Sequence, residues 1–92
     1  MSTFTARDAD ALLVNLGAEI HHSEHTVGFI RLTGNKRLRL YHGNHPGDLP
    51  TFVYQKWKQA LKLSDEEMRA LARGKLDGEA VLALIRKRYG YG

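Results

Sequence analysis

VGFIRLTGNKRLRLY, residues 27–41, is the stretch whose reading decides the fold. Val27 to Leu32 is rich in β-branched and aromatic residues and reads as a strand. Thr33-Gly34-Asn35 is a turn signal, and Lys36 to Tyr41 then alternates with a period of two. The two runs therefore pair as a hairpin. Leu38 and Leu40 face one way, with Gly28, Ile30 and Leu32 on the same buried side. Phe29, Arg31, Arg37, Arg39 and Tyr41 are left on the opposite face, a basic and aromatic stripe. Alternating Arg and Leu also keeps any half-exposed sheet soluble. The interleaved aromatics point further, because Phe29 or Tyr41 could stack a base beside the arginines.

Working outward, Thr5-Ala6-Arg7-Asp8 has capping-box form, with Asp8 in the place of the usual Glu. Ala9, Leu12, Leu13 and Leu16 follow at helical spacing, so residues 6–16 read as an amphipathic helix closed by Gly17. Residues 18–22 read as a short first strand. On the other side, GNHPGDLP at 43–50 carries two glycines and two prolines and reads as a loop. A helix is expected from Pro50 or Thr51, with Val53, Trp57, Ala60 and Leu61 on its apolar face and Lys56, Lys58 and Lys62 around it. Trp57 reads as core. Ser64-Asp65-Glu66-Glu67 is a full capping box, Gly74 closes the helix it opens, and Asp77 is expected to cap a last one through Val81, Leu82, Ile85 and Arg88. The basic run Arg86-Lys87-Arg88 suits a helix C-terminus and needs no further role. Tyr89-Gly90-Tyr91-Gly92 is expected to fray. The predicted class is α+β: an α-β-β-β-α unit with a three-stranded antiparallel sheet packed on helices, followed by one or two extra C-terminal helices.

The 92 residues give room for one domain with a modest core, and a composition of 42% hydrophobic and 26% charged residues is that of a globular chain. A net charge of +4 and a pI near 9.6 favour a polyanion partner. Without cysteine, disulfides, thiolate catalysis and Cys-ligated zinc are excluded. No apolar run reaches membrane-span length and no basic-then-apolar signal pattern opens the chain, so a cytoplasmic location is expected.

HHSEH at 21–25 and HGNH at 42–45 hold all five histidines. His22-x-x-His25 and His42-x-x-His45 could supply two ligand pairs. Zinc pairs on a helix want i, i+4 spacing, however, and these segments read as strand ends and loops. No metal and no cofactor is expected, and the histidines read as partly exposed residues at strand ends. Acid/base chemistry is the sharper alternative, since an imidazole holds or releases a proton near neutrality. Cleavage of RNA by its own 2′-hydroxyl needs a base, an acid and cations for the phosphate. A histidine beside the basic stripe supplies part of that set.

The order of these parts resembles the HicA family of small bacterial toxins over residues 5–64. The resemblance is carried by the helix ending Leu16-Gly17 and by the segment Ser23-Glu24-His25 ahead of a strand bearing Phe29. It continues in His45-Pro46-Gly47-Asp48-Leu49-Pro50 and in the helix ending Lys58-Gln59-Ala60-Leu61-Lys62-Leu63-Ser64. It implies a double-stranded-RNA-binding-domain-like fold over residues 1–64, with 65–92 as a helical extension packed on it. It also implies an mRNA-cleaving endoribonuclease held inactive by a HicB-type antitoxin. The family's catalytic histidine follows Gly-Ser directly. Here His25 matches it best, with Ser23 one residue early and Glu24 between them, and His22 is the alternative. Arg31, Arg37, Arg39, Lys56 and Lys58 would then hold phosphates, with Phe29 and Tyr41 among them. The competing expectation is a non-catalytic nucleic-acid-binding or regulatory module on the same fold. If the helices beyond residue 65 cover the stripe, it is blocked; if they pack beside the first two helices, it stays free.

Overall fold

The computed structural model describes residues 4–43 and 47–91. Helix α1 (Ala6–Asn15) is opened by the Thr5/Asp8 box, with both reciprocal bonds formed at 3.0 and 3.1 Å. Two orphan N–H groups are thereby satisfied at once. Leu16 caps its C-terminus and Gly17 follows at φ +71°. Three strands come next, β1 (Glu19–His22), β2 (His25–Thr33) and β3 (Lys36–Gly43), in an antiparallel meander ordered β1-β2-β3. Helix α2 (Thr51–Leu61) follows Pro50, and α3 (Asp65–Ala72) starts from a complete Ser64/Glu67 box. Asp77 is the N-cap residue of α4 (Gly78–Arg88), but its side chain makes no cap hydrogen bond. The class is α+β, as the alternation in the hairpin predicts.

Period-two alternation sorts the sheet into two faces. In β2, Thr26, Gly28, Ile30 and Leu32 are buried while His25, Arg31 and Thr33 are exposed. The buried face packs on the helices. Leu12 and Leu13 of α1, Trp57 and Leu61 of α2, Met68 and Leu71 of α3 and Ile85 of α4 join Ile30 and Leu40 in one core. Gly28 is where α1 comes closest, for a Cβ there would stand 2.6 Å from the tip of Leu13.

Residues beyond 64 belong to this same core. Asn15 Nδ2 donates to the Leu71 carbonyl at 2.6 Å, tying the end of α1 to α3. The start of α4 lies so close to α1 that a Cβ on Gly78 would fall 1.5 Å from the Asn15 carbonyl oxygen. Arg86 of α4 donates twice to the Arg31 carbonyl of β2, at 3.0 and 3.3 Å.

The described part of the tail, Tyr89 to Tyr91, is anchored where fraying was expected, and Gly92 lies outside the described residues. The Tyr89 hydroxyl donates to the Ala60 carbonyl, and Arg88 donates to the Lys62 carbonyl at 2.6 Å and to Glu67 at 3.0 Å. The Lys62 ammonium in turn lies 4.4 Å from the centre of the Tyr89 ring. An amphipathic phenol covers apolar surface while its hydroxyl satisfies a helix-end carbonyl. Lys62 itself has φ 55°, the one left-handed non-glycine among the described residues. At the opposite end, Gly47 and Leu49 bond to Ala6 and Phe4, which fastens the segment before α2 to the start of α1. No helix among the described residues is long and apolar enough to cross a membrane.

Candidate nucleic-acid interface

Register decides which side chains share the open face. Across β2 and β3, Arg31 stands opposite Arg37, Phe29 opposite Arg39, Val27 opposite Tyr41 and His25 opposite Gly43. Across β1 and β2, Glu19 stands opposite Phe29 and His21 opposite Val27. Alternation therefore brings His25, Phe29, Arg31, Arg37, Arg39 and Tyr41 to one face, with His21 and Glu19 beside them. His25, Arg31, Arg37, Arg39 and Tyr41 are exposed, and Val27 and Phe29 are half-buried among their neighbours. The helices stand on the other side, so the extension beyond residue 64 leaves this stripe free.

The side chains on this face are ordered by one another. Gly43 offers nothing opposite His25, and the imidazole leans toward Tyr41, with ring centres 6.1 Å apart. The Arg37 guanidinium lies 4.7 Å from the centre of Phe29 and that of Arg39 lies 5.2 Å from the centre of Tyr41. Each cation is thus laid over an aromatic ring, a contact worth about 0.5–1 kcal/mol at an exposed site. Like charges directly opposite each other disfavour a sheet pair. The Arg31–Arg37 pair keeps that cost and concentrates positive potential at one end of the face. His21 Nε2 meets Glu19 Oε2 at 3.2 Å and its ring stands edge-on to Phe29, 5.8 Å between centres.

The four described histidines fall into distinct settings. His25 lies on the stripe. His22, one residue out of phase with His21, points to the opposite side and pairs its Nδ1 with Thr26 Oγ1 at 3.2 Å. His42 is not partly exposed but buried at 3%. Its Nε2 meets Asp10 Oδ1 at 2.7 Å, its Nδ1 meets the Gly43 carbonyl at 2.7 Å, and its ring lies 5.9 Å from Trp57. Even-numbered parity puts His42 on the covered face, where α1 supplies the carboxylate. His45 lies outside the described residues, so the pairing of His42 with His45 does too. Among the described residues no group of three His, Asp or Glu stands close enough to hold a metal ion.

The two helix lysines part company. Lys56 lines a groove between α2 and β3 together with Arg39 and Tyr41. Lys58 turns toward α3 and pairs with Asp65 at 3.2 Å. Asp65 also accepts from the Tyr54 hydroxyl, and these two partners, Tyr54 first, hold its carboxyl below the usual carboxylate range. Burial, reinforced by the Asp65 carboxylate, pushes Tyr54 up to about 12. Trp57 is core, at 2% exposure, but its indole N–H donates to the Tyr41 carbonyl at 3.0 Å and so pins α2 to the edge of the sheet.

Sequence reasoning missed His21, Phe52 and the Asp10–His42 pair. Parity along β1 would have found His21 once the pairing of β1 with β2 was known. Phe52 carried no signal at all. Compared with family models, curated proteins and solved structures, the chain has no significant match in any of the three.

Proposed function

We propose that this chain is a HicA-like toxin of a toxin–antitoxin pair, an endoribonuclease that binds single-stranded mRNA on its open sheet face and cleaves it with His25. One observation carries the reading: His25 shares the open face with two aromatic–guanidinium pairs and a third arginine. Phosphates lie on Arg31, Arg37 and Arg39, while Phe29 and Tyr41 offer ring faces to bases. In the chemical step the His25 imidazole takes the proton of a 2′-hydroxyl. The 2′ oxygen attacks phosphorus, and the bond from phosphorus to the 5′ oxygen breaks. That oxygen takes a proton from solvent, leaving a 2′,3′-cyclic phosphate and a 5′-hydroxyl. A HicB-type antitoxin would silence the protein by covering this face, and a cytoplasmic location follows from the substrate.

A second reading, a nucleic-acid-binding or regulatory module without chemistry, is favoured by the hairpin tip. Ser23-Glu24 precedes His25 where the toxin family has Gly-Ser, and the Ser23 N–H is spent on the His25 carbonyl at 3.1 Å. Incubation of labelled oligoribonucleotides with wild type, His25→Ala and His22→Ala separates the two. Cyclic-phosphate ends from wild type and His22→Ala, but not from His25→Ala, support the toxin. Equal cleavage by His25→Ala removes His25 as the catalyst, and tight binding with no product from wild type selects the second reading.

A further inference from the structure

β3 is an edge strand, and α2 runs beside it without closing on it. Between them lies a groove with a cavity volume of about 200 Å³, lined by Arg39 and Tyr41 on one wall and Phe52, Val53 and Lys56 on the other, with Trp57 as its floor. That is smaller than the about 300–1,000 Å³ of small-ligand sites, so the groove seats one part of a longer chain rather than a whole free ligand. Among the described residues the lining carries two cations and no carboxylate. Phe52 is 66% exposed and Tyr41 44%, so two aromatic rings stand in water at the mouth. Tyr41 also belongs to the open face, where its ring neighbours His25. The groove is therefore continuous with the stripe, and a strand lying across His25 and Tyr41 meets it next.

We infer that this groove holds one nucleotide of a single-stranded RNA, its base stacked at Phe52 and Tyr41 and its phosphate between Arg39 and Lys56. The inference rests on the RNA-binding reading of the open face and extends it to a residue-sized subsite. A flat aromatic base covers the exposed rings, and paired cations suit a phosphate at its edge. An acidic peptide added as a fourth strand would use the same charges, but it needs the outer hydrogen-bonding edge of β3. That edge is taken at Tyr41, whose carbonyl already accepts from Trp57. A nucleotide needs no such edge.

Trp57, the chain's single tryptophan, reports on the groove from its floor. The probes are an octamer of 2′-O-methyl uridylate, which cannot be cleaved, the same octamer with abasic units, and polyglutamate. The proteins are the full chain and its Phe52→Ala and Lys56→Ala variants, whose mutated side chains lie outside the buried core. The uridylate octamer is expected to change Trp57 emission saturably. Phe52→Ala should weaken its binding by about tenfold, the loss of one base–aromatic stack. The abasic octamer should bind wild type more weakly by a similar factor and be indifferent to Phe52→Ala. Lys56→Ala should weaken both octamers alike. If the octamer binds without moving Trp57 and Phe52→Ala binds it as well as wild type, the subsite is overturned while the RNA reading stands. If neither octamer binds, the RNA reading falls and the subsite with it. A response to polyglutamate alone makes the groove a peptide site and overturns both.

Discussion

Ile30 and Phe29 are neighbours in β2 and belong to different worlds. Ile30 is 1% exposed in the core cluster that takes in apolar residues of the helices. Phe29 is half-buried beneath a guanidinium and beside a histidine. One face of the sheet is held by area removed from water, and the other by contacts between side chains that remain wet. The covered face therefore carries stability and the open face is free to carry binding. A sheet with helices on one side only has this division built into its period of two.

That contrast breaks most visibly with Ile30→Ala and Phe29→Ala compared in urea. Ile30→Ala is expected to cost about 2–5 kcal/mol, the range for emptying a packed aliphatic site. Phe29→Ala should cost about 1 kcal/mol and weaken the proposed RNA binding several-fold. Equal destabilisation by the two would erase the distinction between the faces. Gly78→Ala tests how firmly the C-terminal helices belong to the covered side. With the Asn15 carbonyl where the new methyl must go, it should destabilise by about 1–3 kcal/mol, read from the denaturation midpoint. No change would mean that α4 can lift from α1 freely.

Smaller effects sharpen the comparison through charge. Single Arg31→Ala, Arg37→Ala or Arg39→Ala substitutions should leave stability within about 0.5 kcal/mol. Each should lower the salt slope of the proposed RNA binding by about one. An unaltered slope would take that residue off the phosphate path. The helix side has its own pH response. Arg88, and then the Ser64 backbone, hold the Glu67 carboxyl below its ordinary 4.5. A depressed folded value gives stability that is present above 4.5 and lost as pH falls through the lower folded value. Thermal melts should therefore show acid loss in wild type that is reduced in Glu67→Gln. The size is on the order of 0.5 kcal/mol for so exposed a pair. For Tyr54 the sign reverses. Its raised value gives stability present below 10 that fades as pH rises toward 12, and Tyr54→Phe should remove that alkaline step.

Much of this division could be read from local spacing. Thr5 with Asp8 and Ser64 with Glu67 are boxes that close over three residues, so their partners are adjacent in the chain and visible there. The alternation of Leu38, Arg39, Leu40 and Tyr41 is local too, and it correctly sorts the two faces. What stayed hidden depends on elements meeting. His42 looks like a loop histidine until α1 brings Asp10 to within 2.7 Å of it. Lys58 looks like Lys56 until the tight left-handed turn at Lys62 swings α3 round to place Asp65 beside it. The groove needs Phe52 and Tyr41, eleven positions apart, to face each other across a helix–strand gap that no periodicity encodes. For the candidate site, parity placed the stripe, and only the fold shows that none of the described helices covers it.

The knot of contacts around Lys62 has a consequence for how the molecule opens. The final turn of the described chain grips the carbonyl end of α2 through Tyr89 and Arg88, and it also holds a lysine in a backbone conformation that glycine would adopt more readily. A terminus is ordinarily the first part to exchange its amide protons with solvent. Here the last turns of α2 and α4 form a single latch, and their amides should exchange together, as one cooperative unit. Among the described residues, the least protected amides are then displaced inward, to the hairpin tips.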